Sequence, residues 1–118
     1  MTALDGTKIP APPWANLQNA LKDGASDGYN WLNQDADFGH WGTYDYQRNG
    51  SIFINAYTPI SNYAVGIGLY GAGYSRQDAI NHAALFANFK SGNSGDPAQA
   101  QWQGRGWDTA NSGACNPP

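Results

Sequence analysis

The chain has 118 residues, enough for one hydrophobic core and too few for two, and its net charge of −3 gives it no global field to draw in nucleic acid or an anionic membrane. All nine acidic residues are aspartates, so any carboxylate catalyst must be an Asp, and sequence-specific reading of DNA is not expected. Five Trp, seven Tyr and four Phe outnumber six Leu, six Ile and one Val, so rings must supply much of the buried area and their polar tips need partners.

A single cysteine, Cys115, excludes an intrachain disulfide and a cysteine-held zinc, and reads as an incidental tail thiol. There is no run of 18 apolar residues and no charged-then-apolar leader with a cleavage site. Membrane insertion and a signal peptide are therefore not expected. If the chain is exported, it travels by another route or within a larger protein.

Residues 1–13 carry Pro10, Pro12 and Pro13 without periodicity and read as an extended lead-in, with the globular part starting at Trp14. Trp14, Leu17, Ala20 and Leu21 mark one face of a short helix that should stop near Asp23-Gly24. Tyr29, Trp31 and Leu32 suggest a second short helix after Ser26 or Asp27. The stretch 35–50 reads as an ordered aromatic loop. Residues 51–57 form a short strand or a helical turn, which Pro59 should break.

From Ser61 to Gly73 the spacing of Tyr63, Ile67 and Tyr70 predicts a helix with a nearly bare, glycine-rich face, which calls for close approach of another backbone or of a ligand. Ser75 is placed to cap a helix running to about Lys90, with Asp78 favouring its positive end. The apolar face of that helix is Ala79, Ile80, Ala83, Ala84 and Ala87, adjoined by Phe86 and Phe89. His82 falls off this stripe. Asp96-Pro97 starts a last helix over Ala98–Gln103 that should end at Gly104, followed by a turn at 105–108 and a flexible tail at 109–118. The fold class is mainly α: a small single-domain bundle of four to five short helices with an ordered aromatic loop and at most a minimal strand pair.

The densest chemistry lies in Phe38-Gly39-His40-Trp41-Gly42-Thr43-Tyr44-Asp45-Tyr46-Gln47-Arg48, which combines an imidazole, a carboxylate, a guanidinium and four rings. Together such groups can move a proton, neutralise a developing anion and stack a flat substrate. The alternative is a loop whose rings fill a small core. Trp41, Tyr44, Tyr46 and Tyr74 are the candidate substrate-binding rings, and Asp45 with His40 is the proposed centre. Asn62 and Tyr63, at the start of the glycine-rich helix, form a second wall.

Three segments in order, Gly42-Thr43-Tyr44-Asp45-Tyr46-Gln47, then Ser61-Asn62-Tyr63-Ala64-Val65-Gly66 with Gly73-Tyr74-Ser75, then Gly95-Asp96-Pro97 leading to Gly104, resemble the bacterial polymorphic toxin type 44 domain. The resemblance covers roughly residues 14–108. It implies an antibacterial effector domain, secreted or delivered into a target cell, with a cognate immunity protein as partner and ribonuclease as the activity usually suggested. The chain departs from the expected pattern at Gln47, where a lysine is expected, at Val65, where an aromatic is usual, and at Asp96, where two acidic residues are common.

Three mechanisms follow. A metal-independent ribonuclease needs a base, an acid and a cation for the phosphorane, roles open to His40, His82, Arg48 and Tyr63, with Asp45 orienting a histidine and Trp41 or Tyr44 stacking a base. A peptidoglycan hydrolase would use Asp45 with Asp37, Asp96 or Asp108 and stack sugars on aromatics, which suits the acidic balance. A non-enzymatic binding module would use the 38–48 cluster as an interface hot spot. No local run has metal-ligand spacing, so neither a metal nor another cofactor is expected.

Overall fold

The structure, a computed structural model, describes residues 6, 8–39, 42–49, 52–91 and 97–113, with only the backbone described at 49 and 86–91. Five α-helices are arranged around one of their number: α1 (Leu17–Asp27), α2 (Trp31–Phe38), α3 (Thr58–Ala72), α4 (Arg76–Ser91) and α5 (Pro97–Asn111). Between α2 and α3 lie two short antiparallel strands, β1 (Arg48–Asn49) and β2 (Ile52–Phe53), paired as Arg48 with Phe53 and Asn49 with Ile52, and a single 3-10 turn, Asn55–Tyr57. The mainly helical expectation holds.

The central element is α3, in which ten consecutive residues from Ile60 to Leu69 are buried. A helix apolar around its whole circumference must be covered on all sides. Helix α1 lies against one side, α5 against another, and α4 adds the small faces of Ala79 and Ala83. Pro59 does not break the chain. It occupies the first turn of α3, where a backbone N–H has no helical acceptor to lose, so it starts the helix.

The glycines of α3 serve backbone packing. A Cβ on Gly66 would lie 1.9 Å from the Gln103 carbonyl oxygen, and one on Gly106 would lie 2.1 Å from that of Tyr63. Across the other contact, a Cβ on Gly24 would lie 1.9 Å from the Gly68 carbonyl oxygen. These approaches correct two expected helix ends. Helix α1 runs through Gly24 to Asp27, and α5 runs through Gly104 and Gly106 to Asn111, because intimate backbone contact outweighs the low helix propensity of glycine. The expected turn at 105–108 is thus helical.

Burial extends past both expected ends of the globular part. Ile9 and Pro12 of the lead-in are buried against the core, and Thr109 and Ala110 are buried within α5. Residues 8–13 and 109–113 therefore belong to the packed body, while 114–118, including Cys115, lie outside the described residues.

Helix starts follow side-chain capping. Asn16 Oδ1 accepts the Asn19 N–H at 3.0 Å, Asn30 Oδ1 accepts that of Asn33 at 3.1 Å, and Ser75 Oγ accepts that of Asp78 at 3.2 Å. Helix α3 ends at Gly73, whose φ of 105° is the left-handed conformation that favours glycine. The cap expected from Asp96 lies outside the described residues.

Candidate functional site

The chain leaving α2 folds back on it. The Thr43 N–H donates to the Ala36 carbonyl at 3.1 Å and the Tyr44 N–H to that of Asp37 at 2.9 Å, which turns residues 44–47 toward the start of α3. There they meet α5 around a tight cleft of about 30 Å³, room for about one water-sized group. Its polar walls are Asp45, Gln47, Ser61, Asn62, Gln99 and Gln103, and its apolar lining includes Phe38, Val65 and Ala83.

Asp45 is the acid of this cleft. Arg48 Nη1 donates to its Oδ2 at 2.8 Å, and the single Ser61 hydroxyl proton is shared between the Tyr44 carbonyl at 3.2 Å and Asp45 Oδ1 at a longer 3.4 Å. The ion pair is largely withdrawn from solvent, with side-chain exposures of 16% for Arg48 and 4% for Asp45. Arg48 also lies 5.3 Å from the centroid of the Phe53 ring, which is 52% exposed. On the opposite wall, Gln103 Nε2 donates to Asn62 Oδ1 at 2.8 Å and Asn62 Nδ2 donates to the Thr58 carbonyl at 3.0 Å. A carboxylate oxygen can accept more than one hydrogen bond, so Asp45 can also receive a proton or hydrogen bond from a ligand hydroxyl or water.

Of the residues singled out in the sequence, Asp45, Arg48 and Asn62 come together here. Tyr63 does not: its ring is fully buried and its hydroxyl bonds Thr109 Oγ1 on α5, so it is a core ring with a satisfied tip. Tyr44 and Tyr46 are also core. Tyr44 stacks on Phe38 at 5.1 Å and meets the Tyr46 edge at 6.1 Å, its hydroxyl donates to an Asp23 carboxylate oxygen, and Tyr46 Oη accepts the Asn16 N–H. With 3% and 6% exposure, neither offers a face for a ligand. Burial raises both phenols, and the Asp23 hydrogen bond raises Tyr44 further. His40 and Trp41 lie outside the described residues.

His82 and Tyr74 belong to a second polar cluster between α2 and α4. Gln34, fully buried, donates through Nε2 to the Gly28 carbonyl and to Tyr74 Oη. Its Oε1 therefore accepts from His82 Nε2, which assigns the imidazole proton to that nitrogen. The imidazole stacks on Tyr74 at 4.7 Å and meets the Trp31 edge at 5.4 Å, and burial lowers its pKa. This arrangement fastens α2 to α4. His82 is not among the residues lining the Asp45 cleft.

The remaining carboxylates divide similarly. Asp108 forms a bidentate pair with Arg76 that ties α5 to α4, with bonds of 2.9 and 3.2 Å. Asp37 joins Asp27, whose carboxyl is pushed up to about 7 by burial first, then by the Asp37 hydrogen bond and the charges of Asp37 and Asp23. Neither Asp37 nor Asp108 lines the cleft, and Asp96 lies outside the described residues. No group of three or more His, Cys, Asp or Glu side chains gathers to hold a metal ion among the described residues.

Sequence reasoning missed Ser61, Gln99 and Gln103 as site residues, and Phe53 as an exposed ring beside Arg48. Gln99 and Gln103 are four apart and share a helix face, a signal already present within the expected helix over Ala98–Gln103. No protein-family model matches the chain, and no curated protein or solved structure does. What the fold and site define, among the described residues, is a small, mainly helical globule with a buried acid, Asp45, at a carboxamide-lined cleft. No helix among the described residues is long and apolar enough to cross a membrane.

Proposed function

We propose that this chain is an antibacterial effector domain with hydrolase activity centred on Asp45, and that its substrate is the glycan of the bacterial cell wall. The effector assignment rests on the resemblance to the type 44 toxin domain, and with it come delivery into a target cell and a cognate immunity protein. The choice of substrate rests on one observation, the composition of the cleft wall. Four carboxamides and a serine hydroxyl surround a single carboxylate, and the adjacent guanidinium of Arg48 is engaged by that carboxylate. A carboxamide donates and accepts at once, which matches sugar hydroxyls and acetamido groups, whereas a phosphodiester calls for cations.

In this reading Asp45 exchanges a proton with the substrate or with attacking water, Arg48 and Ser61 hold its carboxylate in place, and the Asn62–Gln103 pair binds polar groups of the sugar. The ribonuclease that the resemblance implies is the second reading. Its specific support is that the chain passes from Gly39, which lines the cleft, directly to His40, the base such a reaction needs.

Digestion of purified peptidoglycan and of total RNA by one preparation separates these readings. Release of soluble muropeptides without RNA cleavage is expected. RNA cleavage alone would replace the first reading by the second, and inactivity on both would leave a binding module.

A further inference from the structure

Gln47 is 6% exposed, lines the cleft, and holds its side-chain Oε1 buried with no hydrogen-bond partner among the described residues. Its backbone carbonyl is satisfied, accepting the Ile54 N–H at 2.6 Å. The neighbouring polar groups are engaged differently: Asp45 by Arg48 and Ser61, and Asn62 Oδ1 by Gln103. A buried carbonyl oxygen left unpaired destabilises the fold, and at a cleft a donor entering from outside relieves that cost.

We propose that Gln47 Oε1 is a recognition acceptor for a neutral O–H or N–H group of the substrate. This rests on the reading of the Asp45 cleft as the substrate site. With about 30 Å³ available, one hydroxyl or one acetamido N–H enters while the rest of the ligand stays at the mouth. A phosphate oxygen presents lone pairs to the lone pairs of Oε1 and is disfavoured. The side chain at position 47 therefore selects an uncharged, hydrogen-bond-donating group over an anion.

The test is titration of the purified domain with chitotetraose, which carries hydroxyls and acetamido groups, with cellotetraose, which carries hydroxyls alone, and with inorganic pyrophosphate. Wild type should bind at least one of the two sugars, and the difference between them tells whether the N–H or a hydroxyl is the donor. Gln47→Met should weaken that binding ~10-fold, the loss of one hydrogen bond. Its melting temperature should equal or exceed that of wild type, because the unpaired carbonyl is gone. Gln47→Leu serves in its place if the Met variant does not fold. Equal sugar binding by the variant, no sugar binding by wild type, tighter binding of pyrophosphate, or a lower melting temperature for both variants would overturn the inference. Sugar binding that depends on Gln47 without peptidoglycan turnover would instead retain the recognition role and remove the hydrolase reading.

Discussion

Gln103 on α5 and Asn62 on α3 are joined across the central helix contact, Nε2 to Oδ1 at 2.8 Å, with each residue 7% exposed. The bond couples the stability of the α3–α5 contact to the shape of the cleft. Gln103→Ala leaves Asn62 Oδ1 buried without this donor, and a cost of about 1–3 kcal/mol is expected. Denaturant unfolding measures it. Replacing both residues by apolar side chains should cost less than the sum of the single changes, because no orphaned partner remains.

Gly66 and Gly106 hold α3 and α5 at backbone contact. Gly66→Ala would place a methyl carbon 1.9 Å from a carbonyl oxygen that belongs to a helix and cannot swing aside. Overpacking of this kind costs about 1–3 kcal/mol or more. The variant should melt well below wild type, while Gly6→Ala, which meets no atom within 4 Å, should show only the smaller strain of its φ of 91°.

The Asp27 carboxyl, pushed up to about 7 from 3.8 by burial and then by Asp37 and Asp23, sets a pH dependence of stability. In the folded state it keeps a proton that the unfolded chain releases near its ordinary value. The stabilisation is therefore complete below about 3.8 and is lost as pH rises through about 7. Partial solvent screening reduces the effect to the order of 1 kcal/mol, or about 4 °C in melting temperature for a domain of this size. Asp27→Asn cannot titrate, so its melting temperature should fall less than that of wild type between pH 5 and pH 8. Parallel curves for the two proteins would refute the assignment.

Phe53 is half exposed on β2, opposite Arg48, and its ring lies beside the ion pair that holds Asp45. Phe53→Ala should raise KM for peptidoglycan several-fold with kcat little changed, as expected for a stacking contact worth about 1 kcal/mol that is made equally in ground and transition states. A fall in kcat with KM constant would place the ring in the chemistry.

Much of the fold is legible in the chain because its helix starts carry local signals. Ser75 before Arg76 is one, and Pro59 in a first turn is another once its position in the helix is known. The ends are harder, since Gly24 and Gly106 look like breaks until a second backbone is brought against them, and Gly104 until the Arg76 side chain lies over it. That information is tertiary. The site was legible in Asp45, Arg48 and Asn62, and obscured in Tyr44, Tyr46 and Tyr63 by a property of the composition. With only thirteen Leu, Ile and Val residues, the core recruits tyrosines, so dense rings marked packing where they suggested stacking. His82, chemically the most suggestive helix residue, is held by Gln34 and Tyr74 in a structural role.

If the Asp45 cleft carries the chemistry, Asp45→Asn removes it: wild type and Asp45→Asn are compared for release of soluble muropeptides from purified peptidoglycan, with folding checked by circular dichroism. The substitution keeps the shape and an acceptor for Arg48 but removes the group that exchanges a proton. Turnover should fall ~10²–10⁴-fold with the helical spectrum unchanged. Full activity in a folded Asp45→Asn protein would contradict the account.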